Sequence, residues 1–365
     1  MNRQRVIVWF RQDLRLHDNE ALTDALKCAE EVVPVYVFDQ RLFENKTRFG
    51  FRKTGVHRAR FIIESVQNLK ASLKALGSDL VIRIGKPEEE IFNLARQVKS
   101  SLVFCNRERT RDEVNVQDTL EQKLWSVGQE IIYSRGKMLY YTQDLPFPVT
   151  HCPDAFVTFR KEVERFVPVR ELLPTPVDLF NTLEVEVDFG QIPDLTSLGY
   201  SDCKTDERAV LPFKGGETSG IQRLKDFLWE SEDIQHYKAT RDGLLGASYS
   251  SKLSPWLAQG CLSPKLIYKE LKKYEEEKGD NQNTYLLFYE LMWRDFFRLM
   301  GKKYGNKIFM KGGITEKPSS EWLEEEQLIR LWTEGRTGLP FINATMRELK
   351  DSGEVYNRGR QKVAS

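Results

Sequence analysis

A short stretch in the last quarter of the chain carries three chemically different side chains at helical spacing. Glu290, Trp293 and Arg294 stand at positions i, i+3 and i+4, and Phe297 follows at i+7. One face of a helix would then present a carboxylate, an indole and a guanidinium, a combination that is unusual for a plain hydrophobic core. The alternative is an aromatic helix packed against its neighbour, with a Glu–Arg ion pair.

A serine-rich segment lies about 40 residues upstream. Ser254-Pro255 and Ser263-Pro264 each predict a helix start, with Ser at the N-cap and Pro at the first helical position. Hydroxyls and free backbone N–H groups at such a start can bind a pyrophosphate. Ordinary helix capping explains each Ser-Pro pair, but it does not explain the preceding serines. The residues that belong to this candidate site are Tyr237, Arg241, Ser250, Ser251, Lys252, Leu253 and Ser254.

Two further polar segments flank these motifs. The first, Arg11–Asn19, follows the first predicted strand and carries two arginines and two aspartates; a loop held by salt bridges is the simpler interpretation. The second contains Asn357, Arg358 and Gln361, on one edge of a predicted helix. Asn and Gln can read base edges, and Arg can bind phosphate or stack on a base. The alternative is a polar helix start with surface charges.

The first third of the chain alternates short apolar runs with helical patterns. The strands are predicted at 6–10, 32–38, 80–84, 101–105 and 129–134, and the intervening helices at 20–29, 57–76, 88–98 and 112–127. Continuously apolar strands separated by helices indicate a parallel sheet covered on both faces. Function in such sheets lies beyond the carboxyl ends of the strands.

Three regions follow from this pattern. Residues 1–135 form an α/β domain with a five-stranded parallel, Rossmann-like sheet. Residues 136–219 form a proline-rich connector, with a helix at 155–165. Residues 220–365 form an all-helical domain. The chain ends at 360–365 inside a helix-like segment, without a glycine stop or a polar tail, so we expect the helical domain to be incomplete at its C-terminus.

Composition narrows the possible classes of protein. Lys and Arg total 55 against 54 Asp and Glu, so any contact with DNA must use a local patch rather than a basic coat. The chain has no apolar run long enough to span a membrane and no signal-peptide pattern. Five scattered cysteines without a C-x-x-C pair indicate reduced thiols and no metal site. We therefore expect a cytoplasmic protein, and we expect it to be a monomer.

The motifs in their order resemble those of photolyases and cryptochromes. The pattern is Arg-x-Asp-Leu-Arg-x-x-Asp-Asn at 11–19, Leu-Ser-Pro-x-Leu-x-x-Gly-x-Leu-Ser-Pro at 253–264, Glu-x-x-Trp-Arg-Asp-Phe at 290–296, Thr-Gly-x-Pro at 337–340 and Asn-Arg-x-Arg at 357–360. The resemblance covers the whole chain. It implies an α/β antenna domain joined to an all-helical FAD-binding domain.

The resemblance also assigns roles to residues. FAD would be bound by Tyr237, Arg241, Ser250, Ser251, Leu253, Ser254, Arg294 and Arg360. The DNA lesion would be faced by Lys252, Glu290, Trp293, Asn357, Arg358 and Gln361. Glu290 and Trp293 would be catalytic: the indole stacks on the flipped bases and the carboxylate stabilises their radical anion. Asn106 and Glu108 lie in a short stretch similar to the family's contact with a methenyltetrahydrofolate antenna.

The ending Asn-Arg-Gly-Arg-Gln at 357–361 is most similar to the cryptochrome DASH branch. All four histidines precede Trp293, which disfavours the (6–4) enzymes, whose catalytic histidines lie near the equivalent of 357–361. The resemblance therefore implies blue-light repair of cyclobutane pyrimidine dimers, in single-stranded DNA, by electron transfer from reduced FAD.

Two alternatives stay open: a light-signalling protein without repair, and a bare nucleotide-binding α/β domain. Glu354, where the family carries a large apolar residue, departs from the pattern. We also expect these 365 residues alone to bind FAD poorly.

Overall fold

The computed structural model describes residues 4–179, 187–201, 206–315 and 325–364. The first 135 residues build one five-stranded sheet from β1 (Arg5–Phe10), β2 (Glu31–Asp39), β3 (Val81–Gly85), β4 (Leu102–Asn106) and β5 (Glu130–Ser134). All neighbouring strands are parallel and their order is β3-β2-β1-β4-β5. The predicted five-stranded parallel sheet is confirmed, with strand ends within two residues of the predicted ones.

Both faces of the sheet are covered, which explains why the strands are apolar throughout. Alternate residues of β1 enter different cores: Val8 and Phe10 lie in one, Ile7 and Trp9 in the other. The helices of this domain are α1 (Glu20–Cys28), α2 (Gln40–Phe43), α3 (Val56–Ala75), α4 (Pro87–Gln97) and α5 (Arg111–Trp125). Helices α4 and α5 cover the second core, whereas the first core continues into the helical domain.

The connector runs along the α/β domain. Its helix α6 (Phe156–Phe166) begins one residue after the predicted start. Farther on, the backbone N–H of Leu179 bonds to the carbonyl of Leu76, and that of Ile82 bonds to the carbonyl of Phe189. The connector is thereby tied to the sheet domain at several points. Two of its segments, 180–186 and 202–205, lie outside the described residues.

The helical domain places its longest helix at its centre. Its α-helices are α7 (Glu217–Lys225), α8 (Tyr237–Thr240), α9 (Ser254–Gln259), α10 (Pro264–Lys278), α11 (Gln282–Tyr304), α12 (Glu326–Thr333), α13 (Pro340–Ser352) and α14 (Asn357–Val363). In the portion that the structure describes, no helix has the length and apolar character needed to cross a membrane.

The two Ser-Pro pairs begin their helices differently. Ser263 is the N-cap of α10, and its side chain accepts a hydrogen bond from the N–H of Lys265, as predicted. The prediction for Ser254 was wrong by one residue, because Leu253 is the N-cap of α9. Lys252 adopts a left-handed backbone with φ +57°, so the chain has already turned into the helical direction at Leu253.

Candidate functional site

A cavity of about 210 Å³ in the helical domain collects residues from segments more than 100 positions apart. We call it the serine pocket. It brings together most of the predicted cofactor and lesion residues: Tyr237, Arg241, Ser250, Ser251, Lys252, Leu253, Ser254, Glu290, Asn357 and Arg360. Glu354, noted in the sequence as a departure from the family pattern, also lines the pocket. Sequence reasoning missed five other lining residues: Asp242, Gly243, Tyr249, Val355 and Tyr356.

The serine segment is held in an unusual backbone conformation. Ser250 and Lys252 both have left-handed φ angles, +66° and +57°, which non-glycine residues rarely adopt. The buried Arg223 stabilises the segment, since its Nε donates to the carbonyl of Ser251 at 3.0 Å and its Nη2 to that of Ala247 at 3.1 Å. Left-handed Lys252 is followed by right-handed Leu253, and such a pair can turn successive N–H groups toward one side, a geometry that binds anions. No motif in the sequence pointed to Arg223.

Lys252 does not reach the surface. Its side chain is 5% exposed, and its Nζ bonds the carboxylate of Glu354, itself 14% exposed, at 3.0 Å. This ammonium is engaged inside the chain, an arrangement that a phosphate contact on DNA would have to break. The carboxylate of Glu354, the residue that departs from the family pattern, is therefore compensated by the positive charge of Lys252.

A second ion pair, between Arg241 and Glu290, also lines the pocket. Arg241 Nη1 bonds the Oε1 of Glu290, whose side chain remains 35% exposed. Tyr237 lies beneath them, and burial raises the pKa of its phenol to about 12. Tyr237 therefore stays a neutral hydroxyl, available as a hydrogen-bond donor or acceptor.

Trp293 and Arg294 lie outside this lining. The indole of Trp293 stacks on Phe156 of α6 with centroids 3.7 Å apart and planes 10° apart. Arg294 donates from Nη1 to the carbonyl of Lys137, at the start of the connector, at 2.8 Å and from Nη2 to that of Leu257 in α9 at 3.3 Å. The three residues of this helical face therefore contact different parts of the protein. Glu290 pairs with Arg241, Trp293 stacks on Phe156, and Arg294 bonds backbone carbonyls.

The last described helix presents polar side chains beside the pocket. Asn357 begins α14 and is exposed, and its amide makes no hydrogen bond within the described residues. Arg358 is 47% exposed, with Nε 3.1 Å from the carboxylate of Asp242 and Nη1 donating to the Oε1 of Gln361. Arg360 lines the pocket and donates from Nε to the carbonyl of Val355.

The Arg11–Asn19 motif lies at the contact between the sheet domain and the helical domain. The fully buried guanidinium of Arg15 donates to the carbonyls of His17, Asp18, Gly136 and Gly260. We call this contact the domain seam; it comprises residues 11–19, 136–140, 217 and 259–265. The expectation that salt bridges hold this loop was wrong. Among the described residues Arg11 and Arg15 form no ion pair, and Arg15 bonds only backbone carbonyls.

Two buried carboxylates, Glu217 and Asp18, complete the seam. Glu217 accepts hydrogen bonds from the N–H groups of Leu16 and His17 and from the ring of His17 at 2.5 Å. Burial raises the pKa of the Glu217 carboxyl, but these donors outweigh it, and the net shift is downward. Asp18 accepts from the hydroxyl of Ser263 and pairs with Lys265 at 2.6 Å.

The two predicted antenna residues are also inside the protein. The amide of Asn106 is fully buried and donates to the Oδ2 of Asp13 at 2.5 Å. Glu108 is 3% exposed and pairs with the equally buried Lys137; the Nη2 of Arg298 lies 3.5 Å from its other oxygen. Both side chains are buried, although the Oδ1 of Asn106 lacks a hydrogen-bond partner among the described residues. Neither side chain offers an exposed group to a folate, so the residues present do not fit that contact.

A larger cavity of about 660 Å³ lies at the carboxyl edge of the sheet. Its lining includes Arg11, Asp39, Arg41, Arg58 and Asp112, which carry charges of both signs. This is the edge at which parallel α/β sheets bind ligands.

Comparisons with known proteins agree with this architecture. A family model described as DNA photolyase matches residues 6–177, and one described as the FAD binding domain of DNA photolyase matches residues 287–365. Cryptochrome DASH of Synechocystis sp. is 43% identical over 99% of this chain and 73% of its own length, and that of Xenopus laevis is 42% identical over 99% and 69%.

Solved structures lead to the same group. A crystal structure of the Synechocystis sp. cryptochrome superposes with a TM-score of 0.94, at 42% identity, over 99% of this chain and 74% of that one. A class III photolyase from Agrobacterium tumefaciens gives 0.79 at 25% identity, over 100% and 72%. The chain belongs to the photolyase/cryptochrome family and contains its FAD-binding domain. Within that family its relatives include the cryptochrome DASH proteins, so it is a flavoprotein of a blue-light family.

Proposed function

We propose that the protein repairs cyclobutane pyrimidine dimers in single-stranded DNA under blue light, with FAD as its redox cofactor. One observation supports this most strongly: the serine pocket joins an anion-binding backbone segment to a carboxylate, Glu290, and to an amide, Asn357, with free hydrogen-bonding capacity. The first suits a pyrophosphate, and the other two suit the polar edges of a base.

The residues of the pocket fit the phosphate-bearing part of FAD. Ser250, Ser251 and Ser254 supply hydroxyls, Arg360 supplies a positive charge, and the left-handed backbone directs N–H groups to one side. Bound reduced flavin supplies an excited-state electron, which is the cofactor's chemistry and not the protein's. At about 210 Å³ the pocket is smaller than usual sites for drug-sized ligands, consistent with the predicted poor FAD binding of these 365 residues.

The protein's own part is to hold the substrate and shape the field around it. Glu290, which is ion-paired with Arg241, would accept hydrogen bonds from the imide N–H groups of the dimer. Trp293 would present its edge from the aromatic cluster with Phe156. Asn357 would hydrogen-bond a flipped base, and Arg358 would contact a phosphate.

The test is a repair assay on single- and double-stranded oligonucleotides carrying one thymine dimer, with the chain reconstituted with FAD and photoreduced. We expect light-dependent repair of the single strand, and we expect Glu290→Gln to lower it about tenfold or more. Trp125→Phe, which alters an exposed indole on the sheet domain, is the control. Flavin photoreduction without repair of either substrate would favour the second candidate, a light-signalling protein, which retains the same pocket.

The finer expectations stay proposals. A cytoplasmic, monomeric protein is proposed from the sequence, and chromatography with light scattering at several concentrations tests the monomer. Methenyltetrahydrofolate is proposed only from the resemblance, and because Asn106 and Glu108 do not fit it, we derive no step through it. The domain limits 1–135, 136–219 and 220–365 and the site assignments are predictions of the same kind.

A further inference from the structure

The lining of the serine pocket holds as many acidic as basic side chains. Its charged residues are the cations Arg241, Lys252 and Arg360 and the carboxylates Asp242, Glu290 and Glu354. Two of the cations are already paired, Arg241 with Glu290 and Lys252 with Glu354. Arg360 has no carboxylate partner in the part of the chain that the structure describes. An anionic ligand therefore enters a pocket in which most of the positive charge is already compensated.

The two ion pairs of the lining differ in burial. The side chains of Lys252 and Glu354 are 5% and 14% exposed, whereas those of Arg241 and Glu290 are 23% and 35% exposed. Charges interact more strongly where water is excluded. The Lys252–Glu354 pair should therefore have the larger influence on a charge that enters the pocket.

The backbone around Glu354 fixes its carboxylate beside Lys252. Gly353 ends α13 with a left-handed φ of +76°, and a Cβ at this position would lie 2.5 Å from the Cβ of His57 in the sheet domain. The N–H of Glu354 donates to the Oγ of Ser352 at 3.2 Å. The end of α13 and the sheet domain together determine where Glu354 lies.

A second carboxylate lies near the same ammonium. Burial raises the pKa of Glu348 in α13, the negative charge of Glu354 raises it further, and the positive charge of Lys252 lowers it. Two carboxylates therefore share the field of one ammonium. A phosphate that contacts Lys252 would be repelled by both carboxylates, and the nearer of them, Glu354, already occupies the hydrogen bond to Nζ.

We propose that Glu354 is an affinity-determining residue of the serine pocket, because its carboxylate competes with a ligand phosphate for Lys252 and so weakens the binding of diphosphates. The inference rests on the proposed function, since it takes the serine pocket to be the phosphate site. A diphosphate that binds there must displace the carboxylate from the ammonium and remain close to it. An uncharged side chain of the same size would leave the ammonium to the ligand.

Calorimetric titration of the full 365-residue chain with inorganic pyrophosphate at low salt tests the proposal. We expect Glu354→Gln to bind pyrophosphate about tenfold more tightly than the wild type, because the amide keeps the size of the side chain and removes its negative charge. Damage to the fold would weaken binding, so a gain in affinity separates competition from a structural role. In Lys252→Met/Glu354→Gln the gain should disappear, because the ammonium is missing.

The matched control is Glu275→Gln. Glu275 is 11% exposed and bonds Lys272 at 2.6 Å in α10, outside the lining of the pocket. Its substitution also removes one carboxylate from a lysine pair, and it should leave the affinity for pyrophosphate unchanged.

The melting temperature gives a second readout. Glu354→Gln leaves the buried ammonium of Lys252 without its partner, so it should melt at a lower temperature than the wild type in buffer without pyrophosphate. Pyrophosphate should then raise the melting temperature of Glu354→Gln by more than it raises that of the wild type, because the variant binds it more tightly.

Three results would overturn the inference. If the wild type binds pyrophosphate and Glu354→Gln binds it no more tightly, the competition is absent, although the serine pocket remains a phosphate site. If the gain persists in Lys252→Met/Glu354→Gln, or appears equally in Glu275→Gln, it reflects net charge and not Lys252. If neither the wild type nor Glu354→Gln shows saturable binding, the proposed phosphate site fails together with this inference.

Discussion

The domain seam and the serine pocket both contain charged and polar residues. These residues differ in how far they are exposed and in whether their hydrogen bonds are made within the protein. At the seam Arg15 is 1% exposed, and its bonds all go to carbonyls of the chain. Around the pocket, Glu290 and Arg358 stay 35% and 47% exposed, and Asn357 has an amide without a partner in the described part of the chain. Charge that is fully bonded within the protein fixes structure, whereas charge left with free capacity can bind a ligand.

This difference explains why motif residues of equal chemical interest have different roles. A buried guanidinium with all donors satisfied resists any ligand that would take one of them, because an unpaired buried charge is costly. A half-exposed guanidinium is already hydrated, so it can replace water with a ligand at a small cost in free energy. We therefore expect substitutions at the seam to lower the free energy of unfolding and substitutions at the pocket to change ligand affinity. Lys252 and Glu354 line the pocket but are buried, so we expect their substitution to lower stability as well.

The largest loss of stability should come from adding a side chain at Gly260, where the backbone of the helical domain lies very close to that of the sheet domain. Gly260 has φ +68°, and a Cβ there would lie 2.1 Å from the carbonyl oxygen of Gln12. We expect Gly260→Ala to destabilise the protein by roughly 4 kcal/mol or more, measured by urea unfolding. Gly279→Ala is the control: its φ is +88° but nothing lies within 4 Å, so it should cost only roughly 1–3 kcal/mol. Equal losses would show that the close approach is unimportant.

Next in size is Glu217→Gln, which replaces a carboxylate that accepts three hydrogen bonds at the seam. We expect a loss of about 3 kcal/mol at pH 7, because an amide offers one oxygen and turns its NH₂ toward a donor. Since the folded pKa lies below the unfolded value of 4.5, the carboxylate stabilises the fold above that pH.

That contribution is lost as the pH falls through the folded pKa, so the gap between wild type and variant should narrow below pH 4.5. Urea unfolding at pH 7 and in acid checks both statements, with the exposed Glu277→Gln as control. A gap independent of pH would contradict the assigned hydrogen bonds.

Lys252 and Glu354 should behave as a coupled pair. Lys252→Met leaves the carboxylate of Glu354 buried without its partner, and we expect a loss of about 2 kcal/mol. The double variant with Glu354→Gln should recover most of it, giving a coupling energy of about 1–2 kcal/mol by urea unfolding of all four proteins. Additive losses would mean that the pair is not formed.

Substitution of Arg358 should have the smallest effect on stability but a clear effect on the binding of single-stranded DNA. Arg358→Gln removes an exposed ion pair, so its cost should stay within about 1 kcal/mol. Binding of a single-stranded oligonucleotide should weaken, with the slope of log affinity against log salt reduced by about 1. Arg330→Gln, another exposed arginine paired with a carboxylate, should leave both unchanged. An unchanged salt slope in Arg358→Gln would remove this residue from the DNA surface.

Much of the fold could be predicted from the sequence because its signals are local. The apolar strands of the sheet are buried on both faces, so hydrophobicity marked each of them. The grouping of Tyr237, Ser250 and Arg360 followed from the resemblance. Arg223 and Lys137 could not be found this way, since each acts on a segment 28 or 29 residues away through a buried contact. The three environments of Glu290, Trp293 and Arg294 depend on which element packs on each side of α11.

Helix α11 carries Glu290, Arg294, Arg298 and Lys302 at four-residue intervals, from the serine pocket toward the end of β4. These twelve positions span about 18 Å along the helix axis, roughly twice the screening distance in physiological salt. A charge bound at one end therefore has little direct electrostatic influence on the other. Any coupling between the two ends of α11 must therefore be mechanical. It would act through a shift or tilt of the whole helix, which moves both ends together.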